Sequence, residues 1–338
     1  MIQHIRYSRS INKYIWRGYR TDPDRPFTLP PGEFKPKQSL GQNFLSDQNI
    51  INNIVNTFTD DSEEGIRVLE LGPGSGALTR VLYRKYPRMG AIEIDKRAIT
   101  FLSNKIPDLD LIHKDVLDVK WPQYAVERGG TLSVIGNLPY YISSQILFSL
   151  ADNHRAINKG VFTMQLEVAE RVTSKPRAKN YGILGTVFQL YSQPKIEFKI
   201  PPSAFYPVPS VDSALVSFDF TKPNPHLYRV RAEDLRKVII NSFGKRRKML
   251  RSSLKAMIQQ DGLSLPPRWA TLRPEELRPV EFLELTADLY GECDPASQLP
   301  TASGSDSDQE DIFDVELAQY TSPRVWREPS LKSGKITK

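Results

Sequence analysis

The sequence holds a single cysteine, Cys293, which excludes a disulfide framework and any paired-thiol zinc site. Its four histidines, His4, His113, His154 and His226, are scattered along 338 residues, so no metal centre is expected. No run approaches the ~18 apolar residues of a membrane-spanning helix, and no membrane association is expected. A net excess of either sign of charge is also missing from the long middle of the chain. Residues 38–221 carry 19 Lys/Arg and 19 Asp/Glu, whereas the whole chain carries 46 and 39, a net +7. The excess lies in residues 1–37, with eight cations against three anions, and in residues 222–291, with 14 against eight. Residues 292–338 carry five against nine. At ~150 residues per domain the length suits about two domains. The charge steps suggest four stretches: an arm and linker 1–35, a neutral body 36–221, a basic segment 222–291 and an acidic tail 292–338.

In the arm, Arg6, Arg9, Lys13, Arg17 and Arg20 recur at steps of three and four, and no acid precedes Asp22. Such a start is similar to a plastid or mitochondrial transit peptide. A basic arm of a bacterial-type cytoplasmic protein is the alternative. The Pro-rich run 23–31 reads as a linker, and the Ser/Asp/Glu-rich tail as disordered.

The body alternates short apolar runs with helical patterns. Strands are expected at 67–71, 90–94, 109–113 and 132–136, each with a polar landmark at or just past its end: Gly72, Glu93, Asp115 and Asn137. The landmarks are 21, 22 and 22 residues apart, enough for one strand, one helix and two turns. This pattern implies an α/β fold with a parallel, Rossmann-like sheet. Ligands of such sheets bind beyond the carboxyl ends of the strands, where the landmarks converge. Gly72, Gly74 and Gly76 follow a strand and precede a helix, which lets backbone approach a ligand closely. Glu93 is placed to accept from ribose hydroxyls. A nucleoside-bearing cofactor follows, although this loop alone does not separate a dehydrogenase from a methyltransferase.

Asn137-Leu138-Pro139-Tyr140 decides between them. The Asn137 amide oxygen and the Leu138 carbonyl offer two acceptors, Pro139 stiffens the backbone, and the Tyr140 ring offers a stacking face. That set suits an exocyclic amine on a nucleobase. Its nitrogen is a poor nucleophile, and acceptors on its N–H groups aim its lone pair at a sulfonium methyl. Positioning then carries the catalysis.

The chain resembles the S-adenosylmethionine-dependent rRNA adenine N6-dimethyltransferases over residues 36–291. The resemblance rests on Gln42-Asn43-Phe44-Leu45, Glu70 to Gly76, Ile92 to Asp95, Asn137 to Tyr140, Gln165 to Arg171, Tyr181-Gly182, Pro201 to Ala214 and Phe243 to Lys248. It implies a class I methyltransferase sheet with a small C-terminal helical domain. It implies S-adenosyl-L-methionine at Asn43, Leu45, Gly72, Gly74, Glu93, Asp115 and Asn137, with Asn43 and Leu45 closing over it. It implies Asn137, Leu138, Pro139 and Tyr140 at the target amine, and Phe205 as a second aromatic on the other face of the base. The implied substrate is a pair of adjacent adenines in the 3′-terminal hairpin of small-subunit rRNA, met on an immature small subunit by a monomeric enzyme.

The basic segment reads as helices over 234–243, 249–258 and 281–290. Between the first two stand Lys245, Arg246, Arg247 and Lys248, followed by Arg251, a density that suits phosphate contact. Two other classes stay open: a non-catalytic organellar transcription or ribosome-assembly factor on the same scaffold, and a nicotinamide-dependent dehydrogenase. The second lacks an evident acid/base residue near the fourth or fifth strand.

Overall fold

A computed structural model describes residues 36–37 and 40–293. The arm and the tail from residue 294 onward, with the expectations placed on them, lie outside the described residues.

Among the described residues, nine strands form two sheets. The large sheet contains β2 (Val68–Leu71), β3 (Gly90–Glu93), β4 (Asp110–His113), β5 (Leu132–Asn137), β6 (Ile157–Gln165), β7 (Gln193–Ile200) and β9 (Ser213–Asp219). Their order is β4-β3-β2-β5-β6-β9-β7, with β2 to β6 parallel and β9 antiparallel to both its neighbours. The small sheet pairs β1 (Phe44–Leu45) with β8 (Phe205–Tyr206). Helices α1 (Gln48–Thr57), α2 (Thr79–Lys85), α3 (Lys96–Lys105), α4 (Trp121–Glu127), α5 (Ser143–Asp152), α6 (Leu166–Val172) and α7 (Ile183–Tyr191) cover the sheet. Five more follow: α8 (Ala232–Gly244), α9 (Leu250–Ser253), α10 (Lys255–Asp261), α11 (Pro267–Ala270) and α12 (Pro279–Tyr290).

The expected α/β class and the four expected strands agree with this architecture. The central strands β2, β3 and β5 are mostly apolar and buried nearly end to end because both faces of the sheet are covered there. Alternation sends Val68, Ile135, Val161 and Leu215 into one buried cluster with α1 and α2, and Leu69, Val134, Phe162 and Val216 into the other. The second cluster runs on without a break through Phe188, Leu235 and Ile239 to Phe282 and Leu285, so the C-terminal helices share the sheet's core. Full burial of a side chain such as Phe282 is worth ~1.5–3 kcal/mol.

The helix expected over 249–258 is two helices. Leu254 breaks it at φ −86, ψ −7, where the Ser253 hydroxyl turns back to the Leu250 carbonyl at 3.4 Å.

The chain reverses its direction of winding between β2 and β5, and the cavity opens at their carboxyl ends.

Candidate active site

The floor of the cavity is the turn after β2. The Gly72 amide donates to the Ile92 carbonyl at 2.9 Å, which ties the turn to β3. Gly72 and Gly74 hold φ of +63 and +54, a region that disfavours any Cβ. At Gly74 a Cβ would also lie 2.7 Å from the Phe44 ring, so this wall packs against backbone.

Glu93 closes β3 and is 5% exposed. Its Oε2 accepts from the Gly74 amide at 3.0 Å, and its Oε1 from the Ile94 and Asp95 amides, both at 2.8 Å. A carboxylate has about four acceptor sites, so the three amides fix its plane and leave room for a ligand hydroxyl. Burial pushes its carboxyl above the ordinary value, and the three amides oppose that.

Below the glycine turn, Glu70 is 1% exposed, and its Oε2 has no partner among the described residues. Burial raises its pKa to about 8; the Thr79 hydroxyl pulls the other way and the charge of Glu93 adds to the rise. Burial thus favours the neutral form of Glu70 beside the Glu93 carboxylate.

The segment before β1 forms the roof. Gln42 donates to Asp95 Oδ2 at 3.2 Å, and Arg97 donates to both oxygens of the same carboxylate. Burial favours a higher Asp95 pKa, yet the bonds from Arg97 and Gln42 outweigh it and hold it at about 2. Asn43 lines the cavity, and its carbonyl accepts from Asn137 Nδ2 at 2.7 Å. Asp115 lines the cavity at the end of β4; its Oδ1 accepts from the Leu117 amide at 2.9 Å.

Asn137 ends β5. Its Nδ2 must face the Asn43 carbonyl, which only accepts, and so its Oδ1 receives the Thr163 hydroxyl of β6. The amide is held at both ends. Leu138 continues the ladder, its amide donating to the Thr163 carbonyl at 3.1 Å while its side chain is buried. Pro139 and Tyr140 line the cavity, and the Tyr140 hydroxyl shares a 2.7 Å bond with Ser213 Oγ. Burial raises the Tyr140 pKa, so its hydroxyl stays protonated.

Two expected residues stand elsewhere. In the small sheet Phe44 opposes Tyr206 and Leu45 opposes Phe205. Opposed residues share a face of an antiparallel pair. Leu45 and Phe205, 5% and 2% exposed, go into the core cluster with Ile51, Ile54 and Leu215. Phe44 lines the cavity, and Tyr206 is 60% exposed. Phe205 therefore offers neither face of its ring to a base, and Leu45 supports the roof from below rather than lining the cavity. Gln42, Phe44, Tyr141, Thr163 and Ser213 belong to the site and have no individual signal in the sequence.

The cationic run lies in the turn between α8 and α9. Lys245, Arg247, Lys248 and Arg251 are exposed. Arg246 is not a free cation: it bonds Glu275 at 3.1 Å and the Ala178 carbonyl at 3.0 Å. No helix among the described residues is long and apolar enough to cross a membrane.

The sequence profile of the ribosomal RNA adenine dimethylase family matches residues 33–268. Ribosomal RNA small subunit methyltransferase A of Salinibacter ruber is 40% identical over 286 residues, covering 82% of this chain and 95% of its own length. The protein of the same name from Chlorobium phaeobacteroides strain BS1 is 37% identical over 262 residues, 76% of this chain and 95% of that one. Among solved structures, a dimethyladenosine transferase from Plasmodium falciparum aligns with a TM-score of 0.58 at 20% identity, over 72% of this chain and 95% of that chain. A 23S rRNA methyltransferase, ErmE, aligns with a TM-score of 0.50 at 24% identity, over 72% and 99%. These two likenesses agree with the expected methyltransferase fold. The chain belongs to the ribosomal RNA adenine dimethylase family of methyltransferases.

Proposed function

We propose that the chain dimethylates N6 of two adjacent adenines in the 3′-terminal hairpin of small-subunit rRNA, acting on the immature subunit during ribosome biogenesis. The observation that carries this reading is Asn137, whose amide is locked by the Asn43 carbonyl and the Thr163 hydroxyl at the mouth of a cavity floored by Gly72, Gly74 and Glu93. The cradle fits S-adenosyl-L-methionine: a glycine turn with room for backbone approach, a fixed carboxylate for ribose hydroxyls, and the Asp115 carboxylate for the adenine amine of the cofactor. When bound, S-adenosyl-L-methionine supplies an electrophilic methyl group. The Asn137 Oδ1 and the Leu138 carbonyl accept the N–H bonds of the target amine and turn its lone pair toward that methyl, while Tyr140 stacks on the base. The amine gains the methyl and loses a proton to water, so no strong base is needed. A target base reaches this cavity only after leaving its stack.

The acid-poor arm supports a plastid or mitochondrial address, and a fluorescent fusion of residues 1–35 tests it. The function is tested by methyl transfer from labelled cofactor to immature small subunits, with mapping of the modified bases. Label on two adjacent adenines is expected, and Asn137→Ala should abolish transfer while cofactor affinity stays near wild type. Label elsewhere, or wild-type turnover in the variant, would sink the reading.

A further inference from the structure

The turn Lys245–Lys248 does not stand alone. Its inward member, Arg246, reaches the Ala178 carbonyl at 3.0 Å and the Glu275 carboxylate at 3.1 Å. The Glu275 carbonyl in turn accepts from the Arg177 amide at 2.7 Å. Tyr181 closes the same seam, its hydroxyl on the Leu277 carbonyl at 2.9 Å and its ring edge-on to Phe243 at 5.9 Å. The segment held there, between α6 and α7, presents Lys175, Arg177 and Lys179, all exposed. Arg177 holds φ +69, a left-handed conformation that residues with a Cβ rarely adopt, and its amide bond to the Glu275 carbonyl fixes it there.

Two exposed cationic clusters from distant parts of the chain are thus joined by one partly buried arginine bridge. None of Lys175, Arg177, Lys179, Lys245, Arg247 and Lys248 is in an ion pair among the described residues. Acids of the same two segments and their flanks are already engaged: Glu275 by Arg246, Glu170 by Asn180 at 3.3 Å, and Glu276 by the Arg273 amide at 2.7 Å. The large apolar side chains that are exposed, Ile94, Tyr141, Tyr206, Val208 and Val211, lie in neither cluster. A protein partner wants an apolar centre to its interface, and an unpaired strand wants stacking rings. A rigid array of cations with neither fits the phosphate backbone of a folded RNA helix, recognised by shape.

We propose that the Lys175–Lys179 segment and the Lys245–Lys248 turn form one docking surface for helical rRNA, with Arg246 as the clamp that sets their spacing rather than a phosphate contact. This rests on the rRNA reading above and adds a second element to the footprint.

The test is a binding titration of full-length protein with immature small subunits between 50 and 200 mM salt. The Lys175→Gln/Lys179→Gln variant removes two cations without touching the amide bonds of the seam. Its salt slope should fall by about 1.4–1.8, so a fourfold rise in salt costs the wild type roughly tenfold more affinity than the variant. Cofactor affinity and the methylation rate at saturating RNA should not change. An unchanged slope and affinity, in a preparation whose wild type methylates rRNA, would remove the segment from the footprint and leave the rRNA reading standing. A wild type that neither binds nor methylates would overturn both. Arg246→Gln separates clamp from contact: weaker binding at an unchanged slope supports the clamp, and a slope lower by about one makes Arg246 a contact.

Discussion

Thr163→Val isolates what holds the Asn137 amide. Thr163 is fully buried in β6 and does not line the cavity; its hydroxyl donates to Asn137 Oδ1. Valine keeps the shape and removes the donor. A neutral hydrogen bond nets ~1 kcal/mol, and a buried acceptor left alone costs ~1–3 kcal/mol. Asn137 is only partly buried and its other end stays on the Asn43 carbonyl at 2.7 Å, so the lower part of that range applies, about 1–2 kcal/mol. If the bond serves to hold Oδ1 toward the target amine, that energy is lost from the transition state, and ~1.4 kcal/mol is tenfold in rate. Single-turnover methyl transfer to small subunits at saturating cofactor should therefore slow about tenfold, while calorimetry gives a cofactor Kd within about twofold of wild type. A single-turnover rate equal to wild type would refute the orientation argument. An equal loss of cofactor affinity would reassign the bond to holding the roof through Asn43.

Gly74→Ala places a Cβ 2.7 Å from the Phe44 ring at φ +54, so the turn or the roof must move. With ~1–2 kcal/mol of backbone strain, cofactor affinity should fall ~10-fold or more, and unchanged calorimetry would show that the wall is not built this way. His154 is partly buried just after α5, with Nδ1 on the Ala151 carbonyl and Nε2 on the Tyr228 hydroxyl, both at 3.0 Å. Burial lowers its pKa from 6.5 to about 4. The folded value lies below the unfolded one, so this stability is full above pH 6.5 and is lost as pH falls toward 4. The loss comes to about 2 kcal/mol by pH 5. Urea melts at pH 7 and pH 5 should show that slope in the wild type and a flatter one in His154→Gln; equal slopes count against it.

The parallel sheet was legible because each strand is a short apolar run ended by a polar residue, and equal spacing places Gly72, Glu93, Asp115 and Asn137 at one edge. Thr163 was not legible, since one hydroxyl inside the run Ile157–Gln165 reads as an ordinary strand residue. Phe205 and Tyr206 are adjacent aromatics among prolines, with no periodicity to say which faces inward. Only their register with Leu45 and Phe44 decides it. Lys245 to Lys248 look alike as letters, and Arg246 differs only because Ala178 and Glu275 come to meet it. In each case the missing information is a contact between residues far apart in the chain.

The β1–β8 pair also sets an order of assembly. Leu45 meets Phe205, 160 positions later, and without the sheet to bring them together such a closure costs about 4–5 kcal/mol of chain entropy. The roof over the cavity is thus completed by a strand made long after the floor. A ribosome-bound nascent chain that ends before Tyr206 can have its glycine turn and Glu93 in place and still lack the strand that holds Asn43 and Phe44 down. Tight cofactor capture therefore reports that this late closure has formed, and full-length variants that disrupt the Leu45–Phe205 pairing should differ from the wild type in cofactor affinity far more than in sheet content.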